Sequence, residues 1–253
     1  MAGNDKLIVI AHRGAAGEAP ENTLASFALG LEQGCDVIEL DIHLSKDGEI
    51  IVCHDKTLNR TTDRKGAISE FTVKELKSAD AGRWFDERYE GERIPLLEEV
   101  FDLVPPEVQI NVELKAGVAP IVPALVSLMK RKDRLPGVFV SSFDYDHLEL
   151  LKELEPEARI GLPYNNRMSK HYRMAGLLDC PVYSLHPHWA RIDRQKVRAA
   201  VDRGFRVYPW TVNKEEEMRK MIDCGVSGMM TDYPGRLRRL LDSDESELVD
   251  RRQ

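Results

Sequence analysis

Apolar residues along this chain fall into short, β-rich runs separated by longer stretches with helical spacing. The runs are Leu7–Ala11, Val37–Leu40, Gln109–Leu114, Val138–Phe143, Ala158–Leu162, Val182–Leu185, Arg206–Trp210 and Gly228–Thr231. Each has the length and composition of a buried strand. Between the first two lies Thr23–Gln33, whose Leu24, Phe27, Ala28 and Leu31 stand at i, i+3, i+4 and i+7, the stripe of an amphipathic helix. Asn22 or Thr23 can cap this helix and Gly34 can end it. Similar patterns predict helices at Leu96–Leu103, Ile121–Lys132, Asp146–Leu154, Arg194–Arg203 and Glu215–Asp223.

Strand and helix therefore alternate from end to end, which predicts a parallel sheet covered by helices. Eight such units without a dinucleotide-type glycine fingerprint favour a closed barrel over an open doubly wound sheet. The expectation is an α/β fold, a (β/α)₈ TIM barrel forming one catalytic domain over residues 1–253. One stretch, residues 43–95, breaks the alternation. It contains an expected extra strand at Glu49–Cys53, turn-rich sequence, and Trp84-Phe85 among charges. It is read as a small insertion after the second strand, placed over the C-terminal mouth where barrel active sites are built. The Asp-, Glu- and Arg-rich segment Leu241–Gln253 reads as a frayed tail.

With 42% hydrophobic and 31% charged residues in 253, the composition is that of an ordinary globular protein, and no apolar run is long enough to span a bilayer. Lys and Arg total 36 against 43 Asp and Glu, a net charge of -7. That balance argues against nucleic acid as a partner and against stable membrane insertion, and it leaves room for a bound cation. The first residues lack an apolar export segment, so a cytoplasmic location is expected. Cys35, Cys53, Cys180 and Cys224 form no C-x-x-C pair and read as free thiols. Cys53 adjoins His54, but neighbours on a strand point to opposite faces, which weakens a Cys/His nucleophile reading.

Ionisable residues appear where core strands should end: His12-Arg13 after the first, Glu39 and Asp41 in the second, Glu113 and Lys115 in the third. Period-two geometry places Glu39 with Asp41, and Glu113 with Lys115, on common faces. Unpaired burial of these acids is costly. Two arrangements answer that cost: a hard divalent cation, whose preferred ligands are carboxylate oxygens, or a network of ion pairs with Arg13 and Lys115. His12 and His54 can act as general base and general acid across a substrate, or each can be a hydrogen-bonded structural residue. The loop Gly14–Asn22 can present backbone N–H groups to a phosphate or serve as a plain turn. Trp210 and Asn213 either line the same mouth or pack beneath it.

Taken in order, His12-Arg-Gly14, Gly17-Glu-Ala-Pro-Glu-Asn-Thr23, Glu39-Leu-Asp41, Asp47-Gly48, His54-Asp55, Arg60-Thr-Thr62, Asn111-Val-Glu-Leu-Lys115, Trp210-Thr-Val-Asn213 and Thr231-Asp-Tyr-Pro234 resemble the glycerophosphodiester phosphodiesterase family over nearly the whole chain. The resemblance implies metal-dependent hydrolysis of small glycerophosphodiesters, such as glycerophosphocholine or glycerophosphoethanolamine, to glycerol 3-phosphate and an alcohol. It implies that Glu39, Asp41 and Glu113 hold a divalent cation, Mg²⁺ or Ca²⁺ with Mn²⁺ as a further candidate. His12 and His54 become the acid/base pair, Arg13 and Lys115 bind phosphate, and Trp210 lies against substrate. Glu21 and Asn22 are expected to organise the mouth.

The match weakens between Ala158 and Trp189, so head-group specificity is expected there, with Tyr164 or Trp189 as a cation-binding ring or as loop packing. Two other functions are consistent with a similar barrel: a phospholipase-type phosphodiesterase, and a protein that binds glycerol phosphates without hydrolysing them. The chain shows no apolar or basic docking helix for the first, and nothing positive for the second.

Overall fold

The structure, a computed structural model, describes residues 6–115 and 121–250, with side chains from 244 to 250 left out of the description. Eight parallel strands form the barrel: β1 (Ile8–Ala11), β2 (Val37–Leu44), β4 (Gln109–Leu114), β5 (Val138–Ser142), β6 (Arg159–Tyr164), β7 (Ser184–Pro187), β8 (Arg206–Val207) and β9 (Gly228–Thr231). The short β3 (Ile50–Val52) runs antiparallel on β2. Around the barrel, in chain order, stand α1 (Leu24–Glu32), α2 (Val73–Leu76), α3 (Leu97–Leu103), α4 (Ile121–Arg131), α5 (Tyr145–Leu154), α6 (Arg194–Val201), α7 (Glu215–Cys224) and α8 (Pro234–Asp250). The ring closes through the segment after β8: Val207 O accepts from Ser227 N at 3.0 Å and Pro209 O from Met230 N at 3.0 Å.

Period-two alternation divides the strand residues between two cores. Val9, Ala11, Ile38, Leu40, Ile110, Val112, Val140 and Ile160 face outward and pack beneath the helices in the large cluster. Ile10, Val37, Phe139, Tyr208 and Met230 form a smaller inner cluster that plugs the barrel. Val37 facing inward forces Glu39 and Asp41, two and four residues on, to face inward above it. The register Asp41 with Glu113 then brings two acids side by side on neighbouring strands.

The expected elements appear, with boundary shifts of one or two residues and three larger differences. β2 runs to Leu44, four residues past the apolar run that predicted it, because Ile42, His43 and Leu44 pair with β3 while Glu39 and Asp41 interrupt only the hydrophobic pattern. β8 is two residues long, since Pro209 has no N–H for a ladder. The expected fray from Leu241 is instead helix as far as Asp250, opened by Pro234 at the first helical position and anchored by Arg238 on Asp36 at 2.7 Å; 251–253 lie outside the described residues.

Between β2 and α3 the chain builds a satellite core of its own from Ile51, Cys53, Leu58, Ile68, Leu76, Ala79, Ala81 and Ile94. This packing gives His54, on the turn after β3, a fixed support. No described helix is long and apolar enough to cross a membrane.

Candidate active site

A cleft at the C-terminal end of the barrel is lined by His12, Arg13, Glu39, Asp41, His54, Glu113, Lys115, Phe143, Pro163, His186, Trp210 and Met230. All eight residues singled out in the sequence thus meet at one place.

The first strand leaves the barrel through a strained turn. Arg13 adopts φ 54° and Asn22 φ 57°, a left-handed backbone that side chains rarely take. Arg13 is held there because its N–H donates to Glu39 Oε2 at 2.9 Å, while its carbonyl accepts from Asn22 N and from Ser26 Oγ, both at 3.0 Å. Gly14 follows at φ 83°, and a Cβ there would stand 2.4 Å from Ser26 Oγ, so only glycine fits. The amides of Gly14, Ala15, Gly17, Glu18, Ala19 and Asn22 are all spent on backbone carbonyls. These bonds make the loop chiefly a scaffold, the plain-turn reading of its composition. Thr23 caps α1, accepting from Ser26 N at 3.2 Å, and Asn22 is diverted to the site: its Nδ2 donates to Asp41 Oδ2 at 2.9 Å.

Glu39, Asp41 and Glu113 each offer an oxygen within 4.8 Å of the others. Two have cationic partners. Lys115 donates to Asp41 Oδ1 at 2.7 Å and also to Glu113, and Arg13 Nε stands 3.4 Å from Asp41 Oδ2. Against the opposition of burial, Lys115 and Arg13 hold the Asp41 carboxyl far below the usual range. Glu39 is different. It is 1% exposed and, among the described residues, has no cation within ion-pair distance. Burial, reinforced by the charge of Asp41, pushes its pKa up to about 8. The ion-pair network therefore satisfies two acids and leaves the third, Glu39, short of positive charge. A hard divalent cation fits this donor set.

The two histidines are held alike. His12 Nδ1 lies 2.7 Å from Asp232 Oδ1, and His54 Nδ1 lies 2.7 Å from Asp55 Oδ1. Each aspartate fixes the ring and engages Nδ1, leaving Nε2 free for proton transfer. Burial works to lower the pKa of His12, but the Asp232 hydrogen bond and the charge of Glu39 outweigh it and the net shift is upward. The supports behind the aspartates differ. Asp232 accepts from Asn213 Nδ2 at 2.6 Å, whereas Asp55 is gripped by Arg60 at 2.8 and 3.1 Å. Arg60 also reaches both oxygens of Glu21 at 2.7 and 2.8 Å, and Glu21 accepts from Arg13 Nη1 at 2.9 Å. An unbroken polar chain therefore joins His54 to Arg13. Asp232, Asp55 and Arg60 carried no assigned role in the sequence reading; the motifs Thr231-Asp-Tyr-Pro234, His54-Asp55 and Arg60-Thr-Thr62 were their signals, and Asn213, expected to line the mouth or pack beneath it, supports Asp232.

Trp210 lines the cleft with its Nε1–H donating to His186 O at 2.7 Å and its ring edge-on to the exposed Phe143. Below, His186 pairs with Ser184 Oγ at 2.8 Å, and burial holds its pKa down at about 3, so it is a neutral floor residue. Burial pushes the Cys53 thiol up to about 12, which removes it as a nucleophile at neutral pH. Tyr164 and Trp189, each open between a cation-binding ring and loop packing, both have partners within the protein. Tyr164 is buried with its hydroxyl 3.0 Å from His171 Nδ1, and Lys220 Nζ lies 5.7 Å over the Trp189 ring.

An α/β barrel with ionisable groups gathered at its C-terminal mouth has the plan of a barrel enzyme. The family model of the glycerophosphoryl diester phosphodiesterase family matches residues 12–236. A glycerophosphodiester phosphodiesterase of Caldanaerobacter subterraneus is 40% identical over 90% of this chain and 95% of its own, and one of Bacillus altitudinis is 37% identical over 90% and 95%. An Oleispira antarctica phosphodiesterase, solved in complex with the product sn-glycerol-3-phosphate, superposes with a TM-score of 0.86 at 35% identity, over 93% of this chain and 96% of that one. The chain belongs to the glycerophosphoryl diester phosphodiesterase family, and it is an enzyme.

The His12–Asp232 pair gives a test with a definite sign. Because the folded-state pKa of His12 is raised, the stabilisation from this pair is fully present below the ordinary histidine value near 6.5 and is lost as pH rises through the folded value. Asp232→Asn should therefore cost more stability at pH 5.5 than at pH 8.5, measured by urea unfolding. The same variant should lower the NMR titration midpoint of His12; an unchanged midpoint would show that Asp232 does not act on this ring.

Proposed function

We propose that this enzyme hydrolyses small glycerophosphodiesters to glycerol 3-phosphate and an alcohol, with His12 and His54 as the acid/base pair and with a divalent cation held by Glu39, Asp41 and Glu113. The observation that carries the reading is the placement of two aspartate-held imidazoles beside a buried carboxylate cluster whose Glu39 lacks a cationic partner. Mg²⁺ or Ca²⁺ suits these oxygen donors, with Mn²⁺ as a further candidate. A cytoplasmic setting accords with four free cysteines, three of them buried.

When bound, the cation supplies positive charge where negative charge grows on the phosphoryl oxygens. Lys115 and Arg13 stand at the same edge of the cleft and supply fixed cationic donors to the other phosphate oxygens. One imidazole takes a proton at Nε2 from the attacking hydroxyl, and the other delivers a proton from Nε2 to the departing alcohol oxygen. The roles then reverse for the second step. With Cys53 held as a thiol and no serine placed beside either histidine in the cleft, the attacking group comes from the substrate: its glycerol hydroxyl next to the phosphate ester. That hydroxyl is already tethered near phosphorus, which saves the entropy of capturing a separate water. The first product is then a cyclic glycerol phosphate, and water opens it in the second step. Trp210 and Phe143 form the apolar wall against which the substrate lies.

Chelation should abolish glycerol 3-phosphate release from glycerophosphocholine or glycerophosphoethanolamine, and Mg²⁺, Ca²⁺ or Mn²⁺ should restore it. Glu113→Gln should require more metal for half-maximal activity, because a full ligand charge is removed while the shape is kept. Full turnover in metal-stripped protein would overturn the metal site. Phosphorus NMR during turnover should show a transient cyclic phosphate, and a diester lacking the neighbouring hydroxyl should react about a hundredfold or more slowly, within the range attributed to positioned reactants. Equal rates for the two diesters would mean that water attacks directly.

A further inference from the structure

A second concavity lies on the loops that follow β6 and β7. β6 and β7 end in register, Pro163 beside His186 and Tyr164 beside Pro187. Pro163 and His186 line the cleft. The residues that follow them leave the barrel and enclose a groove of about 500 Å³ lined by Arg167, Met168, Ser169, Ala190, Arg191 and Lys196. The two loops are tied together: His188 N–H donates to Tyr164 O at 3.0 Å, and Arg191 Nε donates to Asn165 Oδ1 at 2.9 Å. They are also tied to the cleft wall, since Trp189 N–H donates to Trp210 O at 3.1 Å and the His188 ring packs edge-on to Trp210, 5.2 Å between centroids. The loop that carries the groove is thus fastened to Trp210 of the cleft.

The charge of this groove runs against that of the molecule. In a chain of net charge -7, three of its six lining residues are cationic. Lys196 is balanced by Asp193, 3.1 Å away. Arg167 and Arg191 are not balanced: among the described residues no carboxylate stands within ion-pair distance of either. Arg191 is half-buried, and its guanidinium is oriented by the neutral amide and carbonyl of Asn165. A guanidinium immobilised away from any carboxylate has given up side-chain freedom and some hydration without a charge partner, and its planar fork suits phosphate oxygens.

We propose that this groove receives an anionic group on the leaving-alcohol side of the substrate, so that the enzyme prefers glycerophosphodiesters whose alcohol carries a second phosphate over those with a neutral or cationic head group. The proposal rests on the hydrolytic reading above and adds the substrate class. Arg191 and Arg167 grip the distal phosphate while the scissile phosphate stays with Lys115 and Arg13. Among the described residues the groove lining holds neither a carboxylate nor an aromatic ring, which leaves it without a seat for a quaternary ammonium.

The test uses two substrates that differ by one group, glycerophosphoglycerol and the same diester with a phosphate on the terminal hydroxyl of its leaving glycerol. The native enzyme should show a kcat/KM at least fivefold higher for the phosphorylated diester, mostly through a lower KM. The double variant Arg167→Gln, Arg191→Gln should erase that preference while turning over glycerophosphoglycerol within twofold of native, which also certifies its fold. Equal kcat/KM for the two diesters in the native enzyme, or an equal loss for both in the variant, would overturn the proposal. No hydrolysis of either diester by the native enzyme would instead overturn the hydrolytic reading on which it rests.

Discussion

Three carboxylates forced together at the mouth of an apolar barrel set the terms for everything around them. Glu39 and Asp41 face inward because Val37 must plug the barrel, and Glu113 joins them because β4 pairs with β2 in that register. Removing such charges from water without compensation costs several kcal/mol each. Asp41 and Glu113 are answered by Lys115 and Arg13. Glu39 receives only backbone and electrostatic help, from the Arg13 amide at 2.9 Å and the neighbouring His12. The left-handed turn at Arg13 follows from that need, because only this bend aims the amide at Glu39 while Ser26 and Asn22 take up the freed carbonyl.

The same economy explains why the residues after β2 matter to the barrel. Their satellite core fixes His54, and the chain Asp55–Arg60–Glu21–Arg13 ties that histidine to the opposite rim. His12 has a shorter support, Asp232 backed by Asn213. One histidine is thus anchored through a guanidinium and the other through a neutral amide. Mutations in this outer ring, such as at Arg60, bear on the geometry of His54 without touching the cleft.

The barrel was legible in the sequence because eight apolar runs alternate with helical stripes, and the limits of β4 and β9 agree with their runs to the residue. Where boundaries moved, a local interaction outweighed the pattern: β2 continued past its acids to pair with β3, and α8 continued through a charged segment. The cleft was legible because strand ends carried His12, Glu39, Asp41, Glu113 and Lys115 on predictable faces. The aspartate behind His12 was not, since His12 and Asp232 are 220 residues apart and only closure of β9 onto β1 joins them. The fate of the Gly14–Asn22 amides was equally hidden, because small residues look alike whether their N–H groups serve a ligand or a turn. Tyr164 stayed open between a head-group ring and loop packing because the apolar run ended at Leu162; the strand continues to Tyr164, whose ring is buried against His171.

On the proposed reading, Glu39 is a buried acid kept for a cation and not for the fold. Its raised pKa means that its stabilising contribution is present below the ordinary glutamate value near 4.3 and is lost as pH rises through about 8. Thermal unfolding of Glu39→Gln and native protein at pH 9, with chelator and with added Mn²⁺, tests this directly. The account predicts that the variant is the more stable of the two in chelator and that Mn²⁺ raises the melting temperature of the native protein alone. A variant less stable than native in chelator, or stabilised by Mn²⁺ as much as native, would contradict it.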